Sequence, residues 1–184
     1  MYNETLSLIA SFIAMCFVVM SYFVRKKEFY LLFQLLCIAF LIISYFFNLQ
    51  FFAMVGLSIG ILRTLTFFIY EKKDKPAPIF FVFLYSTLTV ASYVIVNGII
   101  LKNWQPLDIL CVIALVSYVV IFRIRNLKIV RYTMLFPTVL SILFNVFTQA
   151  ALFATLTYVF EFVANVVSIL KYHVFTTIQT KKSK

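Results

Sequence analysis

Seven runs of apolar residues, each long enough to cross a bilayer, follow one another along this chain with little between them. They fall at about 5–24, 29–47, 50–70, 78–100, 106–122, 128–147 and 151–172. In hydrocarbon every backbone amide must find its partner inside the chain, so runs of this length are restricted to helices. The connections "RKKE", "NLQ", "EKKDKPAP", "LKNWQPLD", "RIRNL" and "TQA" are mostly too short for anything but turns at the membrane surface, and no separate soluble domain is expected. With 64% hydrophobic residues, 12% charged residues and a mean hydropathy of +1.05, the chain has too little polar surface to coat a water-soluble globule. The fold class read from these features is an all-α polytopic membrane protein.

The opening "MYNETLSLIA" has neither the basic n-region nor the small-residue cleavage site of a signal peptide, so the first run is expected to be retained. Cys16, Cys37 and Cys111 all lie in apolar runs and read as small hydrophobes rather than as a disulfide framework.

Positive residues resist translocation and so orient the chain. An N-terminus outside and a C-terminus in the cytoplasm places Arg25, Lys26, Lys27, Lys72, Lys73, Lys75, Arg123, Arg125, Lys128, Arg131, Lys171, Lys181, Lys182 and Lys184 inside. Lys102 alone is left outside, and Arg63 within the bilayer. The net charge of +10 is then a topology signal and an attraction to anionic lipid headgroups. A nucleic-acid site is not expected, because the basic residues are spread over every inner loop.

Spans 1 to 3 and 5 to 7 share one rhythm: a span, a basic loop, a span, a minimal loop and a span. "SYFFNLQFFA" at 44–53 aligns weakly with "SILFNVFTQA" at 141–150, matching Ser44 with Ser141, Phe47 with Phe144, Asn48 with Asn145 and Ala53 with Ala150. Two three-helix units in the same orientation need one helix to join them. This gives a 3+1+3 parallel repeat, with a first bundle over 1–75, a linker helix over 76–104 and a second bundle over 105–184. A pathway is expected between the two bundles.

Arg63 lies well inside the third span, where a charge costs several kcal/mol unless it faces a partner, a wet cavity or a substrate. Glu161 is the acidic residue placed near the middle of a span, and the alignment sets it beside Phe160, the counterpart of Arg63. Side chains lean toward the N-terminus of their helix, so Arg63 would reach toward the level of Glu161. The pair would either gate or bind a charged or zwitterionic solute, or brace the bundles as a strut. Two further readings stand beside it: Arg63 snorkels to the headgroups, or Glu161 is protonated and bonded to nearby backbone.

Asn165, one turn beyond Glu161, with Gln34, Ser44, Asn97 and Asn145, would add polarity to a small cavity or bond helices together. Pro137 should kink the sixth span, and Gly56 with Gly60 should allow a close helix contact on the third. Trp104, Tyr2, Tyr70, Tyr85 and Tyr172 read as interfacial anchors. His173 reads as a surface residue. No metal-ligand spacing, phosphate loop or paired carboxylates appear, so neither an enzyme nor a cofactor is expected.

The combination of "RKKEFYLLFQLLCIAFLIISYFF", a short outer turn and "GLSIGILRTLTFFIYEKK" resembles the bacterial YgjV-type inner-membrane proteins, which have similar length and an arginine late in the third span. The resemblance implies a multi-pass protein of the bacterial cytoplasmic membrane. The 3+1+3 plan also resembles SWEET sugar transporters and PnuC vitamin-precursor transporters. Those bundles typically carry a proline in each gating helix, and here Pro137 alone occupies a comparable position. Two functions follow as expectations: a small-solute carrier with a polar site between the bundles, or a non-transporting membrane protein that binds lipid or a protein partner. Expected partners are anionic headgroups at the cytoplasmic face and an unidentified small solute, with homo-oligomer formation left open.

Overall fold

A computed structural model of the chain describes residues 2–47, 51–100, 102, 106–148 and 152–175. Seven α-helices follow the seven apolar runs: α1 (Tyr2–Phe23), α2 (Lys27–Phe47), α3 (Phe51–Lys72), α4 (Ile79–Tyr93), α5 (Asp108–Arg123), α6 (Leu127–Phe147) and α7 (Leu152–Ile169). π-helical turns prolong α4 over Val94–Ile100 and α7 over Leu170–Phe175, and no strand occurs among the described residues. Five helical segments, Thr5–Phe23, Lys27–Phe47, Met54–Lys72, Ile79–Ile100 and Leu127–Phe147, are long and apolar enough to cross a membrane. α5, with 16 residues, and α7, with 18, are not among those five.

Local signals set the helix ends. Asn126 caps α6 by accepting the Lys128 amide at 2.9 Å, and Pro78 precedes α4, where a missing N–H costs nothing. α3 closes in a Schellman motif, with Lys75 N–H on the Tyr70 carbonyl and Asp74 N–H on that of Glu71, both 3.0 Å. Asp74 takes the left-handed position there at φ 51°. Pro137 lies buried inside a continuous α6, and its carbonyl accepts the Ser141 hydroxyl at 2.9 Å.

Each helix packs on its neighbours in sequence, α7 closes the ring against α1, and α3 also meets α5, which leaves α4 outside the ring. Large apolar side chains such as Phe12, Phe83, Leu62 and Phe136 point outward, as lipid contact requires, while the interior holds serine, threonine, asparagine and charge. The Ser44 hydroxyl bonds those of Ser7 at 2.9 Å and Ser11 at 2.6 Å, which fastens α2 to α1. Tyr85 joins α4 to α3 through Thr66 at 2.6 Å and the Leu62 carbonyl at 3.2 Å. It is a buried latch, in contrast to the interfacial anchor read from sequence. Asn97 donates to Asp108 at 2.5 Å, binding the prolonged α4 to the start of α5.

The basic residues of the loops after α1, α3 and α5 meet at one end. Lys27 and Glu71 form a nearly buried ion pair at 3.0 Å, Arg125 pairs with Asp74, and Arg123 donates to the Ala77 carbonyl at 3.2 Å. Arg131, read from sequence as a loop charge, is 3% exposed. It donates to the Val24 and Tyr22 carbonyls at 2.7 and 3.2 Å and lies over the Tyr172 ring.

The bounds Lys27–Phe47 and Leu127–Phe147 differ by 100 residues, and α1 and α5 likewise end at Phe23 and Arg123. Buried positions follow the same shift, Ala14 with Ala114, Val18 with Tyr118, Tyr22 with Phe122, Cys37 with Pro137 and Leu41 with Ser141. On α3 and α7 the shift is 101, carrying Gly60 to Glu161, Arg63 to Ala164 and Phe67 to Ser168. The register therefore differs from the 97 implied by matching Asn48 with Asn145. Asn48, Trp104, Ala150, Lys181, Lys182 and Lys184 lie outside the described residues, as do the side chains of Tyr2, Ala53 and His173.

Candidate functional site

The apolar periodicity of α3 turns Leu62 and Leu65 outward, and this leaves Arg63 facing the ring interior at 4% exposure. On α7 the same logic turns Phe160 to the outside and Glu161 inward, the latter 3% exposed. Gln34 of α2 joins them. All three line one cavity of about 30 Å³ with Tyr118 and Phe122 of α5 and Thr157 and Tyr158 of α7. That volume holds a water or two.

Arg63 Nη1 donates to the Leu115 carbonyl at 3.1 Å, and its guanidinium lies 5.0 Å from the Phe122 ring centre and 5.7 Å from that of Tyr118. Nε has no hydrogen-bond partner among the described residues. The two glycines of α3 make room for this arrangement. A methyl group on Gly60 would lie 3.6 Å from Arg63 Nη2, and one on Gly56 would lie 3.0 Å from Leu115 Cδ1, so α3 and α5 approach closely beside the bond.

Glu161 accepts the Tyr22 hydroxyl at 2.8 Å. Tyr22 is wholly buried and packs edge-on against Tyr30, which in turn meets Phe122. Gln34 donates to Ser21 at 3.1 Å. Arg63 and Glu161 thus share a cavity with no ion pair between them, and the direct pair expected from sequence is absent from this state. Each charge is met instead by a neutral group on another helix, Glu161 by the Tyr22 hydroxyl and Arg63 by the Leu115 carbonyl.

Asn145 faces a second cavity, also of about 30 Å³, with Tyr45, Cys111 and Ser141. Its amide donates to the Ser141 carbonyl at 2.8 Å. Asn165 is fully buried and its amide donates to the Arg131 carbonyl at 2.8 Å, so it lies in the α6–α7 contact, away from Glu161's cavity. Tyr22, Tyr118 and Phe122 escaped the sequence reading, because aromatic residues in an aromatic-rich chain carry no local mark. The heptad-like recurrence of Tyr118 and Phe122, four apart on one face, was the available signal.

Leu57, Leu115 and Tyr158 line both the Asn145 cavity and the Arg63–Glu161 cavity. At the basic end a third, smaller cleft meets the central cavity at Phe122 and is walled by Lys27, Glu71 and Arg123. Three hollows therefore lie in file along the ring, separated by side chains.

A ring of apolar helices enclosing buried charge and small hollows defines a polytopic α-helical membrane protein. The Imp-YgjV family model, described as "Bacterial inner membrane protein", matches residues 5–175, and the chain belongs to that family. No curated protein and no solved structure matches it.

Proposed function

We propose that the chain is a small-solute carrier of the bacterial cytoplasmic membrane, built as a 3+1+3 repeat of seven spans around the Arg63–Glu161 cavity. The file of three hollows carries this reading, because a carrier needs a polar site with a closable constriction on each side. Leu57, Leu115 and Tyr158 form one constriction and Phe122 the other. Gln34, Arg63 and Glu161 form the site, and Asn145 lines the approach from the far end. Asn165 takes no part in the site and ties α7 to α6 through the Arg131 carbonyl.

The repeat is supported by the shift of 100 to 101 residues that superposes buried faces. The contacts obey it too: α1–α2 and α2–α3 map onto α5–α6 and α6–α7, and α3–α5 maps onto α7–α1, with α4 left over as the linker. The basic end, holding Lys27, Arg123, Arg125 and Arg131, is the cytoplasmic one, which puts the N-terminus outside and the C-terminus inside. Anionic headgroups gather there.

The test uses Thr157, which lines the central cavity. With Cys16, Cys37 and Cys111 replaced by alanine, Thr157→Cys in right-side-out and inverted vesicles is exposed to a small, membrane-impermeant thiol reagent. A carrier visits states open to each side, so the thiol reacts from both faces. A thiol inert from both, while loop positions label fully, means a dry interior and a non-transporting protein.

A further inference from the structure

Arg63 has less company than a buried cation needs. Beside it are one backbone carbonyl at 3.1 Å and the faces of two aromatic rings, and none of these carries a full negative charge. Its Nε is buried and unpartnered, and it lies on the edge of the guanidinium that takes a carboxylate in two parallel hydrogen bonds. The Tyr118 hydroxyl stands on the same cavity wall, with the Thr138 and Ser141 hydroxyl oxygens beside it as acceptors, since their own protons go to carbonyls of α6. The unspent donor on this wall is therefore Arg63 Nε.

Glu161 answers them from α7. Its partner is the neutral Tyr22 hydroxyl, and Gln34 stands beside it on the cavity wall. With Arg63 and Glu161 both ionised, the cavity as a whole carries no net charge. A lone anion bound at Arg63 would bring two carboxylates together in a low-dielectric interior, and a lone cation at Glu161 would leave a second positive charge beside the first. A zwitterion adds no net charge and gives each buried ion an opposite partner.

We infer that this cavity binds a small amino-acid-like zwitterion, its carboxylate on the Nε edge of Arg63 and its ammonium on Glu161 and Gln34. The inference rests on the carrier reading of the same site and names its substrate class. Because the closed cavity holds only a water or two, the solute enters when α3 and α5 part.

Purified full-length protein in detergent is melted with each of the twenty proteinogenic amino acids in turn. At least one raises the melting temperature. Its carboxylate-only and amine-only analogues then bind at least about tenfold more weakly, since each leaves one buried charge unmet. Arg63→Lys and Glu161→Gln each weaken binding of the intact amino acid by a similar factor. No shift with any amino acid overturns the inference, and so does a carboxylate-only analogue that binds as well as its parent. The analogue comparison uses the unaltered chain, so it holds even where a variant fails to fold. A Thr157→Cys thiol that reacts from both faces without any amino-acid binding removes the substrate class and leaves the carrier. An inert thiol with binding intact removes the carrier and leaves the site.

Discussion

Arg63 and Arg131 are both arginines buried in the ring, each 3 to 4% exposed, yet their surroundings are opposite in kind. Arg131 sits against the C-terminal end of α1, where helical carbonyls have no amide of their own helix to accept from and the dipole is negative. Two such carbonyls and the Tyr172 ring receive it, and Ser168 and Tyr172 bond the same stretch of backbone. Arg63 sits in mid-helix surroundings, where the one carbonyl it reaches is already used within α5. Burial alone does not tell the two apart. What separates them is the number of carbonyls each reaches, two for Arg131 and one for Arg63.

The contrast breaks most directly by removing each charge. Arg131→Met should cost about 3 kcal/mol, because it strips partners from the end of α1, whereas Arg63→Met should cost under about 1 kcal/mol, since relief of a buried charge offsets one lost bond. Thermal unfolding in detergent reads both, and equal losses would abolish the distinction. Next in size, Tyr22→Phe should cost about 2 kcal/mol by leaving Glu161 without its hydroxyl. In double-mutant cycles with Glu161→Gln, Tyr22→Phe should show clear coupling and Arg63→Met much less. Stronger coupling to Arg63 would restore the direct pair. A smaller effect comes from the settled charge at the basic end: Glu71→Gln should cost about 1 kcal/mol by weakening its hold on Lys27. The smallest is Asp74→Gly, which relieves a left-handed residue while losing an exposed partner of Arg125. The expected result is a gain of a few tenths of a kcal/mol, and a clear loss would show that the Arg125 contact matters more than the backbone.

The helices were legible in the sequence because hydrocarbon leaves an apolar run no other structure. The seven α-helices match the seven predicted runs to within a few residues at most ends. Gln34, Arg63 and Glu161 were also legible as an interior group, since amide and charged side chains in apolar runs, unlike hydroxyls such as Ser58 that bond their own helix, cannot face hydrocarbon unpaired. Register was not. On α3 and α7 the buried faces match at a shift of 101 rather than 97, and a four-residue error changes facing by about 40° on a helix, enough to set exposed Phe160 opposite Arg63 in place of buried Ala164. Asn165 misled for a related reason: one turn along a helix keeps the face but changes the layer, and in that layer α6 is already in contact. Lys27 and Arg131 lay at the ends of runs, where sequence alone does not say whether a cation dips into the protein or stays among headgroups.

Gly56 has a mechanical consequence. With Leu115 Cδ1 3.0 Å from a would-be methyl, Gly56 lets α3 and α5 approach closely, and the Arg63 bond to the Leu115 carbonyl spans that approach. This carbonyl also belongs to the internal ladder of α5, so the arginine holds one branch of a forked bond, the cheaper branch to release. Such a seam behaves like a snap fastener rather than a rivet. It joins the two helices through one contact, and it gives way at that single point when they are pulled apart.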